Sequence, residues 1–241
     1  SQELANTVWA YATLVHEAPS LFDAVSERAV HKIDTFNPLH IANFLWSHAV
    51  MNTNPKTVAV IFSHLSNQYQ RKMIASSKRE LCQMHQASLW FTIEHGQPSL
   101  LPPALIKECM MAFTSPQITI SKFQKDVVKN FQNLGYDVKE EVICRKTGYS
   151  IDAIITHKNS EVAVEVDGPF HFMNNSNKPT GNTILKHRQL RNIGDKTLLI
   201  VPYWEFYPIS GDQRDGSKKK KNYSKEKKEY LQKSLISLQN N

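Results

Sequence analysis

Along the first 115 residues, apolar side chains recur at the spacing of a helix face, in stretches that open at prolines. Pro19 precedes Leu21–Val30, Pro55 precedes Val58–Leu65, and Pro102-Pro103 precede Leu105–Phe113. Proline lacks an N–H and has a fixed φ, so it is tolerated at the first helical position and marks helix starts. Leu4-Ala-Asn-Thr-Val-Trp-Ala-Tyr-Ala12 aligns with Ile41-Ala-Asn-Phe-Leu-Trp-Ser-His-Ala49 at an offset of 37 residues, and four of the nine positions are identical. A weaker third copy centres on Leu89-Trp90, 44 residues beyond Trp46. The second copy is led by Phe36-Asn37-Pro38, a capping residue followed by proline. Ser1 stands one position into the equivalent lead, which predicts further repeats before it. Copies of this length, each made of two helices, predict an α-solenoid whose stacked pairs bury Trp9, Trp46 and Trp90 in the core.

The pattern changes at Thr114-Ser-Pro-Gln117. Ser121 is placed to cap a helix running to Leu134, with Phe123, Val127, Val128 and Phe131 on one face and Gly135 at its C-terminal end. Alternating stretches then predict strands over 137–144, 149–156 and 161–167, the last two joined as a hairpin around His157–Ser160. A helix over 182–192, a strand over 197–202 and a last amphipathic helix over 224–238 complete the chain. The expected architecture is α plus α/β: a helical-repeat domain over residues 1–115, then an αβββαβ domain with a C-terminal helix over residues 116–241.

Charge divides the same way. Residues 1–115 carry 8 Lys+Arg against 8 Asp+Glu, so the net charge of +7 comes from the remainder, with nine basic and three acidic residues in 214–233 alone. Lys218, Lys219, Lys220 and Lys221 lie in that segment and are candidates for phosphate contact. No stretch reaches the ~18 uncharged apolar residues of a membrane span, so no membrane partner is expected. Cys82, Cys109 and Cys144 are odd in number and widely spaced, which argues against a disulfide framework or a zinc site.

The chemistry is concentrated in Glu161-Val-Ala-Val-Glu-Val-Asp-Gly-Pro-Phe-His-Phe172. Glu165 and Asp167 are two apart on an extended segment and share a face. Asp152, on the preceding strand, lies beside Glu165 if the two strands pair. This order of elements, with Asp152 followed by Glu165-x-Asp167, resembles the restriction-endonuclease-like fold, the PD-(D/E)XK group. The resemblance implies Mg²⁺ held by Asp152 and Glu165, with Asp167 as a further acid, to activate water against a phosphodiester. The same segment resembles short-patch-repair endonucleases, which implies an acid–base role for His171. Where the nuclease pattern has a lysine two residues after the glutamate, this chain has Asp167; Lys186, on the following helix, is a candidate substitute.

Three ordered motifs narrow the resemblance: Val164-Glu-Val-Asp-Gly-Pro-Phe-His-Phe172, Thr180-Gly-Asn-Thr-Ile-Leu-Lys-His-Arg-Gln-Leu190 and Val201-Pro-Tyr-Trp-Glu205. Together they resemble the RAP domain, which that family places after helical repeats in proteins of mitochondria or chloroplasts that act on organellar RNA. The N-terminal repeat resembles octotricopeptide repeats. The implied function is RNA binding in organellar RNA metabolism, with a metal-dependent endoribonuclease as the alternative and a structural component of an organellar ribonucleoprotein, such as the mitochondrial ribosome, as a third reading. Lys186, His187 and Arg188 then supply phosphate contacts, and Phe170, Phe172, Tyr203 and Trp204 supply rings for unpaired bases. Phe170 and Trp204 have a plainer alternative, as covers of the sheet edge.

Overall fold

The computed structural model describes residues 1–53, 55–70, 76–115, 119–174, 176–207 and 216–238, with side chains in the last segment from 224 onward. The chain forms helices followed by a four-stranded mixed sheet and a C-terminal helix, the α plus α/β architecture expected. It divides into two compact units that are not contiguous in sequence. One comprises 1–116 with 172–192, and the other 117–171 with 193–241.

The first unit begins with α1 (Gln2–Thr13), α2 (Pro19–His31), α3 (Pro38–Met51), α4 (Pro55–Gln70), α5 (Lys78–Leu89) and α6 (Pro103–Thr114), four of them starting at the expected prolines. Asn37 caps α3, its side chain accepting from the His40 N–H at 2.9 Å while His40 Nδ1 accepts from the Asn37 N–H. Helices α1, α3 and α5 pack side by side, α2 packs on α4, and α6 packs on α5. The burial follows from these positions. Helix α1 buries only Ala5, Val8 and Ala12, and α4 only Val58, Ile61, Phe62 and Leu65, one face each. Helix α3, flanked by both α1 and α5, is buried on every side from Ile41 to Val50.

A polar pairing joins α3 to α5: Trp46 Nε1 donates to Gln86 Oε1 at 3.0 Å, and Gln83 Nε2 to Asn43 Oδ1 at 3.1 Å. Both pairs are 40 residues apart, so Gln86 rather than Trp90 stands opposite Trp46. Trp90 comes one turn later, opens a π-helical turn (Trp90–Glu94) and donates to Asn52 Oδ1 at 2.9 Å. Trp46 and Trp90 are buried, while Trp9 remains half-exposed. His48 is buried between the Ser26 and Thr53 hydroxyls, and its desolvation pushes the imidazole pKa from 6.5 down to about 3.

Helix α8 (Gly181–Ile193) also belongs to this unit as far as Asn192. A Cβ on Gly181 would collide with the Ala12 carbonyl oxygen at the end of α1, so glycine is required by close approach. Leu185 is fully buried in the helical core, and Gln189 Nε2 donates to the Gln86 carbonyl at 2.8 Å.

In the second unit the strands β1 (Val138–Ile143), β2 (Ser150–His157), β3 (Ser160–Asp167) and β4 (Thr197–Pro202) are ordered β1-β2-β3-β4. The first three form an antiparallel meander and β4 lies parallel to β3. The hairpin turn falls at Lys158-Asn159, both at positive φ, the geometry that matches the twist of the flanking strands. Ser121 caps α7 (Lys122–Asn133) by accepting the Gln124 N–H at 3.0 Å. Val127, Val128 and Phe131 of α7, Ala153, Val162, Val164, Leu199 and Val201 of the sheet, and Leu231 and Leu235 of α10 (Gly216–Ser237) form one core. A short helix α9 (Tyr203–Phe206) follows β4, and Tyr230 of α10 donates to Glu205 at 2.9 Å.

Candidate functional site

The acids of the second unit sit where the β2–β3 ladder ends. Paired residues run from His157↔Ser160 to Ala153↔Val164. Beyond them the Val166 N–H donates to Asp152 Oδ2 at 2.6 Å, so a carboxylate takes the place of a backbone acceptor. Glu165 and Asp167 are both fully buried, with carboxylate oxygens within 4.8 Å of one another. His171 Nδ1 lies 2.9 Å from Asp167 Oδ1. Two acids this close in a dry setting raise each other's proton affinity unless cations or donors are near, and His171 is one such group. Carboxylate oxygens such as those of Glu165 and Asp167 are ligands of the kind a hard divalent cation such as Mg²⁺ takes.

A further carboxylate, which the sequence reading did not single out, lies on the neighbouring strand. Glu141 of β1 stands at positive φ, in the register position opposite Asp152. Its oxygens accept from Gln124 Nε2 and from the Ser150 hydroxyl, each at 2.6 Å, and Gln124 also reaches the Asp152 carbonyl at 3.3 Å. Counting the β1–β2 register could have placed Glu141 there. Its left-handed backbone had no signal in the sequence.

The aromatics form a rim at the same end of the sheet. Asp167 and Pro202 are in register on the parallel strands β3 and β4, so the chain leaves both at one level. Phe170, three residues on from Asp167 in the turn Pro169–His171, is 98% exposed. It therefore does not cover the sheet edge, the plainer of its two sequence readings. Tyr203 and Trp204, immediately after Pro202, pack edge to face at 5.2 Å between centroids, both half-buried. Phe172 is buried in the first unit, in an isolated bridge with Pro179.

The basic triplet lies on α8, in the first unit. Lys186 is half-buried and His187 buried. Arg188 is engaged inside the first unit: Nε donates to Glu94 Oε2 at 2.5 Å, Nη1 to the Val50 carbonyl at 2.8 Å, and Nη2 to the Ala49 carbonyl. Those carbonyls end α3, where the helix dipole favours a cation. Phosphate contact, the role expected of Arg188, needs a solvated guanidinium; the carbonyls that end α3 and the buried Glu94 engage it instead. Lys218, Lys219, Lys220 and Lys221 lie outside the residues whose side chains are described. Lys227, farther along α10, holds Asp126 at 2.5 Å and lies over the Phe206 and Tyr207 rings. Tyr207 donates to Asp126 at 2.7 Å, and burial together with that carboxylate pushes its phenol pKa up.

Helices followed by a four-stranded mixed sheet and a C-terminal helix define an α plus α/β protein. More particularly, residues 164–234 match the family model of the RAP domain. The RAP domain is a nucleic-acid-binding family, which supports a role in RNA binding at that general level. The chain is 24% identical, over 88% of its length, to a RAP domain-containing protein, chloroplastic, from Oryza sativa subsp. japonica. It spans 44% of that relative's length. Among the described residues no helix is long and apolar enough to cross a membrane.

Proposed function

We propose that this protein binds single-stranded RNA in an organelle and acts in the processing, stability or translation of that RNA. The observation that carries the reading is Phe170: a large ring 98% exposed at the end of a strand, level with Tyr203 and Trp204, offers a platform on which unpaired bases stack. Burial of Arg188 moves the expected phosphate contacts away from that residue. The basic stretch that runs through α10 supplies them instead, with nine basic residues in 214–233. The printed name of the rice relative supports a chloroplast as the compartment. The test is anisotropy of labelled oligoribonucleotides at a series of salt concentrations. Affinity that falls steeply with salt, and falls further in Phe170→Ala, is expected. A flat salt response, or unaltered binding by that variant, overturns the reading.

A second reading, a metal-dependent endoribonuclease, is favoured by the forked strands. Asp152, Glu165 and Asp167 would hold Mg²⁺, which supplies an activated water when bound. His171, whose Nδ1 lies 2.9 Å from Asp167 Oδ1, is placed to move a proton. Cleavage of labelled RNA that requires Mg²⁺ and is lost in Glu165→Gln supports it; equal cleavage by that variant, or none by either, removes it.

A further inference from the structure

We propose that a cavity in the helical unit is a pocket for one unstacked nucleobase of the bound strand. The inference rests on the RNA-binding reading and adds a second, separate contact to it. The cavity has a volume of about 420 Å³, within the size range of small-molecule sites and ample for a base. Trp9 of α1 and Trp46 of α3, the matching tryptophans of the 37-residue repeat, line it together with Arg79, Cys82 and Gln83 of α5 and Asn182 of α8.

Each wall selects for the same chemistry. The Trp46 N–H is committed to Gln86, so its ring is left to present hydrocarbon and π surface. Trp9 is half-exposed, and the guanidinium carbon of Arg79 lies 5.4 Å from its ring centroid. An indole and a guanidinium plane are both surfaces on which bases stack. Gln83 adds a polar requirement. Its Nε2 is spent on Asn43, while its Oε1, on a side chain only 7% exposed, has no hydrogen-bond partner. A buried acceptor left in this state needs a donor. An aliphatic ligand would leave it unmet. A flat ring carrying N–H groups on its edge satisfies the ring walls, the guanidinium and the amide oxygen together, and a nucleobase is such a ring. Arg79 is exposed, so its charge is also within reach of the phosphate that follows.

The 241-residue chain is titrated with labelled 12-nucleotide homopolymers of A, C and U, alongside Cys82→Phe, which fills the cavity, Arg79→Ala, which removes an exposed wall, and Gln83→Leu. Cys82→Phe is expected to weaken binding roughly tenfold, the loss of about one stacked base. Gln83→Leu is expected to level the preference among the three homopolymers. Thermal melting checks that each variant is folded, and Arg79→Ala, an exposed position, keeps the test open if the filled variant is not. If Cys82→Phe and Arg79→Ala bind as the parent does while Phe170→Ala is weakened, the pocket is discarded and the RNA reading stands. If the parent binds no homopolymer, the RNA reading fails and the pocket with it. Benzene that raises the melting temperature of the parent but not of Cys82→Phe, with homopolymer affinity alike in both, shows an apolar-ligand cavity and also overturns the assignment.

Discussion

Two stretches of one domain motif, Pro169–His171 and Asn182–Leu190, have opposite fates. The first leaves a phenylalanine 98% exposed, and the second spends its arginine, glutamine and leucine inside a helical core. By residue type alone the assignment would run the other way, with the ring packed and the cations solvated. The difference teaches that a basic side chain in a nucleic-acid-binding motif can be there to close the protein's own helix end. An apolar one can be there because nothing in the protein covers it.

That contrast can be broken by measuring stability and RNA affinity on the same variants, taken here by expected effect on stability. Arg188→Ala leaves the buried Glu94 without its cation and takes a charged donor from two α3 carbonyls; a loss of about 3 kcal/mol by urea unfolding is expected. A purely RNA-contacting Arg188 would instead leave unfolding unchanged. Gly181→Ala drives a Cβ against the Ala12 carbonyl and should cost about 1–3 kcal/mol, read as a lowered melting temperature.

His48 gives a pH signature to the same unit. Its folded pKa, about 3, lies below the ordinary 6.5, so the unfolded chain takes the proton first. The contribution is complete above 6.5 and is lost as pH falls from there toward 3, by at most about 1.4 kcal/mol per pH unit. Unfolding at pH 5.5 should therefore require about 1 kcal/mol less than at pH 7, and His48→Gln should flatten that slope. At the other extreme, Phe170→Ala should shift stability by no more than about 0.5 kcal/mol. It should nevertheless weaken RNA binding by about 1–3 kcal/mol in anisotropy titrations. A large stability loss from this variant would place the ring in the core and reverse the comparison.

The elements were legible because their punctuation is local. Pro19, Pro38, Pro55 and Pro103 open helices as expected, Ser121 caps α7, and the strand over 197–202 has its expected bounds. The acid cluster was legible in part, since two-residue periodicity puts Glu165 and Asp167 on one face. What escaped depended on distant partners. Arg188 meets Glu94 and Val50, and Gln124 meets Glu141; no pattern around the first member announces the second.

Helix α8 bears on how such proteins diversify. Its Gly181, Leu185, Arg188 and Gln189 fit particular backbone and side-chain features of α1, α3, α5 and the turn after it. The chain therefore cannot be recombined as interchangeable beads joined by a linker. A C-terminal segment moved onto a foreign helical array would arrive with a key cut for another lock. Exchange between such proteins is expected to succeed only when the receiving helices travel with it.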